Sequence, residues 1–253
     1  MIALLLVTAL ATAPDEPADL REELDEGVFV NWTSMQLEVV SAGEGRGVGA
    51  TRKAVEALAR TGLGERVHLA ANGVRVGPEL TVEQVLLDPE IGATVEARID
   101  RWAVGEARYF ASGRIEIVAE LPLLDLLKPV SLRSAVTRPE SLRQPEVTGV
   151  LIDARGSGAS PSWAPAIIGR GDEVLWDGTL WADVAIHSSP LIWLSDPAHM
   201  AVARVGDSPL LVRVDRADGA RLFLEADDAV RFRTALYGSD VLRSGQIAIL
   251  VDP

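Results

Sequence analysis

An α+β fold in two units is what this sequence predicts, and three observations carry the expectation. The first half reads as an antiparallel sheet with one principal helix, and the second holds more strand than helix. A stretch over residues 123–146, holding Pro129, Pro139 and Pro145 among scattered Ser, Thr and Arg, looks like a connector between them. The 253 residues, 48% hydrophobic and 24% charged, are enough chain and enough apolar surface for two packed bodies.

The elements follow from periodicity and punctuation. Residues 2–10 form a short apolar run, below the length that spans a bilayer, and Ala9-Leu10-Ala11 and Ala11-Thr12-Ala13 supply small-x-small cleavage sites. Residues 1–13 therefore read as a signal-like segment that lacks the usual basic start. Residues 14–27 carry seven carboxylates against Arg21 alone and read as a solvated acidic spacer, with Leu20 and Leu24 able to form a short helical turn. The first unit, residues 28–122, opens with alternation over residues 28–40, expected as one strand. The Gly-rich break at residues 43–49 leads into a helix over residues 50–60 with a small-residue apolar face, ended by Gly62. Asn72-Gly73 marks a turn, Thr81 caps a brief helix to Leu87, and residues 91–110 and 114–121 read as strands joined by Ser112-Gly113. In the second unit, residues 147–253, apolar runs at 147–152, 166–168, 173–176, 210–214, 221–224 and 246–251 predict strands. Asp227 or Asp228 caps a helix to Leu236.

Composition excludes much. A net charge of −13 disfavours nucleic acid and anionic membrane surfaces, both of which require Lys/Arg-rich faces. Zero Cys removes disulfides, thiolate metal sites and cysteine nucleophiles, and no lipid anchor is expected. The three His residues, His68, His187 and His199, are never four apart, so a histidine metal or acid/base site is poorly supplied. No residue pattern calls for a cofactor or a metal.

Three constellations suggest chemistry. The Gly-rich segment before the first helix has the position of a phosphate loop. It lacks the Gly-Lys-Ser/Thr ending and the G-x-G-x-x-G spacing, and Glu44 would repel a phosphate. Ser157 with His187 or His199 and an Asp would supply a hydrolase triad, but Gly158 and Ala159 do not complete a nucleophile elbow. The aromatic set is skewed toward six Trp, four of which, Trp163, Trp176, Trp181 and Trp193, fall close together. Exposed indoles of this kind stack on sugars; the alternative is that they fill the core of a strand-rich unit.

Val30-Asn31-Trp32-Thr33, Leu37-Glu38-Val39, the Gly-rich break, the Ala-rich helix and Ser112-Gly113-Arg114-Ile115-Glu116-Ile117 closing on Leu121-Pro122-Leu123 together resemble a known unit. It is similar to the N-terminal domain of flagellar assembly protein T and related small outer-membrane lipoproteins, over residues 28–123. The resemblance implies an envelope domain used for assembly, without catalysis. A second string, Thr148-Gly149-Val150-Leu151-Ile152-Asp153-Ala154-Arg155-Gly156 with Gly158, Pro161, Pro165 and Ile167, resembles a signature of exported bacterial proteins that carry the same N-terminal unit. That family has no assigned function, so the resemblance implies no active site. By alternation Asp153 and Arg155 lie on one side of an extended strand, where they form a structural ion pair or present Arg155 to a ligand carboxylate.

The expectation is a non-catalytic periplasmic structural or assembly component of the cell envelope, in a motility or other envelope-spanning machine. Its partners are expected to be envelope proteins or further copies of itself, with any outer-membrane association made through a partner. The alternative is a ligand-binding module for cell-wall glycan, with Asp153, Arg155, Trp163, Trp176, Trp181 and Trp193 as candidate binding residues.

Overall fold

The computed structural model describes residues 19–45, 51–133, 147–178, 180–181, 191–195, 204–238, 241 and 245–253. The signal-like segment, most of the Gly-rich break, and residues 134–146 lie outside them.

The first unit is a five-stranded antiparallel sheet in the order β1-β2-β3-β5-β4. Its strands are β1 (Arg21–Asp25), β2 (Val28–Asn31), β3 (Gln36–Glu44), β4 (Ala103–Tyr109) and β5 (Arg114–Pro122). The acidic stretch differs from expectation: Arg21–Asp25 is not spacer but an edge strand, paired with β2. Alternation explains it, because Glu22 and Leu24 turn partly inward while Arg21, Glu23 and Asp25 face water.

Residues 28–40, expected as one strand, are a hairpin. Its turn is built by Asn31, whose Oδ1 accepts from the Thr33 N–H at 3.1 Å and the Ser34 N–H at 2.9 Å. Met35 completes the turn at φ 55°.

Helices α1 (Arg52–Arg60) and α2 (Leu63–Asn72) pack on this sheet, and α3 (Val82–Leu86) and α4 (Gly92–Ile99) pack on α2 and on each other, in place of a single principal helix. Thr51 caps α1 through its side chain, and Glu56 pairs with Arg60 one turn on. The helix lies so close that a Cβ on Gly43 of β3 would stand 2.3 Å from the Val55 carbonyl oxygen. Gln84 of α3 reaches back to accept from the Thr81 N–H at 2.8 Å, half of a capping box. Residues 91–110, expected as one strand, divide into α4 and β4.

The expected connector begins as packed structure. Helix α5 (Leu123–Leu127) buries Leu123, Leu126 and Leu127 in the common core, and β6 (Leu132–Arg133) follows it.

The second unit is a seven-stranded sheet in the order β11-β14-β7-β12-β13-β8-β9. Its strands are β7 (Val150–Asp153), β8 (Ala166–Ile168), β9 (Val174–Asp177), β11 (Ile192–Leu194), β12 (Leu210–Asp218), β13 (Arg221–Leu224) and β14 (Ile247–Leu250); all but β11, which was not expected, stand close to the six expected apolar runs. Strands β11, β14, β7 and β12 run parallel. Every residue of β14 is buried, as a central parallel strand requires. The expected helix is α6 (Ala226–Gly238), which packs Ala229, Phe232 and Leu236 into the core. Finally, β10 (Leu180–Trp181) pairs in parallel with β6, joining the second unit to the end of the first.

The two units share one hydrophobic core, which runs from Val28 and Trp32 through Leu126 to Trp193 and Ile249. No helix among the described residues is long and apolar enough to cross a membrane.

Candidate functional site

The distinctive string of residues 148–167 sits at the carboxyl ends of the central parallel strands, where sheets of this kind place their ligands. Strand β7 ends at Asp153, and the Ala154 N–H bonds to the Leu250 carbonyl at the end of β14. The chain then turns through Gly156 (φ 74°) and Gly158 (φ 77°), left-handed positions that favour glycine. Asp252 fixes this turn by accepting from the Gly156 N–H at 2.7 Å.

Asp153 and Arg155 meet as a pair. Arg155 donates Nε to Asp153 Oδ1 at 2.8 Å and Nη2 to Oδ2 at 2.7 Å, the two-pronged geometry of a guanidinium on a carboxylate. The Arg155 backbone N–H adds a third bond at 3.2 Å. The side-chain hydrogen bonds from Arg155 hold the Asp153 carboxyl below the usual carboxylate range, against a smaller opposing effect of burial.

Around the pair lies an open groove of about 310 Å³, with Leu151, Leu211, Val212 and Leu250 as its apolar lining and Arg213 and Asp228 beside them. Its acids are already engaged. Asp228 accepts from the Arg213 N–H at 2.7 Å and from Arg231 at 2.7 Å, while Asp153 is occupied by Arg155. Ser157 donates its hydroxyl to the Ala154 carbonyl at 2.5 Å, so that oxygen serves the turn. His187 and His199, its expected triad partners, lie outside the described residues. Among the described residues no group of three or more His, Asp or Glu is placed to hold a metal ion.

Downstream the string becomes a strap. The Ala217 N–H bonds to the Ser157 carbonyl at 3.2 Å, and the Ser160 N–H bonds to Gly219 at 3.0 Å, fastening the segment to the β12–β13 hairpin. It then crosses to the first unit. Arg75 donates Nε to the Pro161 carbonyl at 2.8 Å, the Trp163 N–H donates to the Arg75 carbonyl at 3.1 Å, and the Ala164 N–H donates to Val76 at 2.7 Å.

The same Arg75 gives Nη2 to Glu22, whose Oε2 also accepts from the Trp32 indole at 2.8 Å. Thr33 completes the seam by donating its hydroxyl to the Trp193 carbonyl at 2.9 Å. None of Glu22, Thr33 and Arg75 was a candidate site residue from sequence, and Thr33 appeared only within the string that carries the first resemblance. They come from distant elements, and no local spacing marks them.

Three of the four candidate tryptophans are not placed to form a stacking platform. Trp163, Trp176 and Trp193 are 1%, 4% and 0% exposed, so those three indoles are core and cannot meet a glycan from solvent. Trp193 donates Nε1 to the Ser162 carbonyl at 2.8 Å, whereas Trp163 Nε1 has no hydrogen-bond partner among the described residues. Trp181 lies in β10 and its side chain is outside the described residues.

Residues 149–253 match the family model described as the second domain of Treponema pallidum Tp0624. The match begins one residue before β7 and takes in the whole seven-stranded sheet. It falls on the second of the two resemblances drawn from sequence and does not extend to residues 28–123, on which the likeness to flagellar assembly protein T rests. No curated protein matches the chain.

Proposed function

We propose that the protein is a non-catalytic structural or assembly component of the bacterial cell envelope, acting in the periplasm after export. The observation that carries the reading is the use made of the distinctive string. Its polar groups go into a turn, a strap and a seam that tie two units into one body, and the acids of the adjoining groove are held by arginines. The signal-like residues 1–13 and the acidic balance support an exported protein that avoids nucleic acid. A place in a motility or other envelope-spanning machine is the finer form of the reading, supported by the resemblance over residues 28–123. Its partners would be envelope proteins.

Fractionation of the native cells, with the intact mass of the recovered protein, tests the reading. The expected result is a periplasmic form lacking residues 1–11 or 1–13 that crosslinks in the cell to envelope proteins. An uncleaved cytoplasmic form would overturn it. So would turnover of an ester, glycan or nucleotide by the purified protein, lost in Ser157→Ala.

A further inference from the structure

The five-stranded sheet ends in two very different edges. At the β1 edge Arg21, Glu23 and Asp25 face water, the charge protection expected of an edge that must stay unpaired. The opposite edge, β4, is built otherwise. Every residue of β4 except Ala107 is exposed, and its large apolar side chains stand in water: Val104 is 38% exposed, Tyr109 47% and the following Phe110 45%. Its two charges, Glu106 and Arg108, are of opposite sign and pair with each other at 2.8 Å.

The backbone of β4 is arranged to accept another strand. The Phe110 N–H bonds inward to the Arg114 carbonyl at 3.0 Å, closing the hairpin with β5. In an antiparallel ladder the inward and outward residues alternate, so Arg108 also faces β5 while Ala107 and Tyr109 present their N–H and C=O groups to the free edge. Between Val104 and Ala107 the register shifts by one residue. A bulge of this kind places Gly105 and Glu106 together opposite one partner residue, and Val104 then faces outward as well.

We propose that β4 is a self-association edge, and that two copies of this chain pair their β4 strands antiparallel about a twofold axis at Ala107. This register satisfies three independent requirements. Ala107 meets Ala107 of the second copy, and Tyr109 meets Val104, so the outward backbone groups of both strands find partners. Arg108 of each copy faces the bulge of the other, which sets it beside Glu106 of opposite charge, twice by symmetry. On the helix-bearing face, the aromatic Tyr109 ring, already stacked under Arg52 at 3.8 Å, lies against the β-branched Val104, a favourable cross-strand pair. The two five-stranded sheets become one continuous sheet of ten. The proposal stands whether or not the protein works in the envelope.

Sedimentation velocity of the full chain over roughly a hundredfold range of concentration tests it, together with two designed variants. The wild type is expected to shift from monomer to dimer, with the Ala107 and Tyr109 amides gaining hydrogen-exchange protection as the dimer forms. Ala107→Pro removes an outward N–H and leaves the pairing with β5 its own bonds, so it is expected to keep the wild-type circular dichroism and remain monomeric. Glu106→Arg sets like charges together at two places and is expected to weaken the dimer about tenfold or more. Glu106→Arg combined with Arg108→Glu restores the opposite charges and the dimer. A chain that stays monomeric throughout overturns the proposal, as does a dimer that Ala107→Pro and Glu106→Arg leave intact. Failure of the double variant to recover overturns the register.

Discussion

Trp163 and Trp193 lie in the same core and are both almost fully buried, yet the Trp193 indole N–H is bonded while that of Trp163 has no partner among the described residues. Replacing either by Phe removes similar volume, but Trp193→Phe also strips the Ser162 carbonyl of its donor, whereas Trp163→Phe removes a donor with no partner among the described residues. Trp193→Phe is therefore expected to cost about 1 kcal/mol more than Trp163→Phe, measured as the difference in urea midpoints at unchanged slope. Asp153 gives a second residue-scale test. Its folded-state pKa lies below the unfolded value because Arg155 hydrogen-bonds the carboxylate. The stabilisation is thus present above the unfolded pKa of about 3.9 and is lost as pH falls through the lower, folded value. Asp153→Asn should be less stable than wild type at neutral pH, and the gap should close in acid; denaturant unfolding from pH 7 down to about 3 reads this directly. The pair was anticipated from alternation along an extended strand, but β7 ends at Asp153 and Arg155 lies in the turn beyond it, where its own N–H reaches the Asp153 carboxylate, so turn geometry brings the two together. The clustered tryptophans were legible only as a cluster: spacing cannot say whether an indole faces core or solvent, and three of them face the core.

Element by element, what could be read depended on how locally each structure is determined. Strands β8 and β13 stand close to where their apolar runs place them, since a short buried run between turn residues has few other uses, while helix α6 begins at Ala226, one residue before Asp227, so that Asp227 and Asp228 lie in its first turn and do not cap it. The β2–β3 hairpin was hidden because its turn uses Asn31, Trp32, Thr33 and Ser34 in place of Gly or Pro, and depends on a side-chain oxygen that only the folded turn brings onto the backbone. Helix α4 was hidden because Ile91, Val95 and Ile99 suit either period over so short a span. The pairing order of the seven-stranded sheet was beyond sequence too, because parallel neighbours such as β7 and β12 are set by long connections and not by local turns. The closest element contact gives the test at this scale. With Gly43 facing the Val55 carbonyl at the distance given above, Gly43→Ala forces α1 away from β3 and is expected to destabilise by about 1–3 kcal/mol. An unchanged thermal midpoint for Gly43→Ala would show that the helix has room to move.

For the whole molecule, the shared core and the seam through Glu22, Arg75, Pro161, Thr33 and Trp193 imply that neither unit unfolds alone. Two sheets joined only by a tether would open independently, and a change on one side would leave the other untouched. Here Arg75 holds both sides: its guanidinium satisfies a Glu22 oxygen and the Pro161 carbonyl, and its backbone carbonyl receives Trp163. Arg75→Ala leaves the side-chain acceptors short of a donor while keeping the backbone bond, and is expected to cost about 1–3 kcal/mol. The distinctive consequence is where that loss is felt. Hydrogen exchange followed by mass spectrometry should show the most protected amides of β5 and of β14 opening with one common free energy in the wild type, and both falling by the same amount in Arg75→Ala. A loss confined to β5 would mean that the string of residues 148–167 merely touches the first unit. Equal losses would establish it as the strap through which the second unit depends on the first, so that a force or a partner acting on either sheet is borne by both.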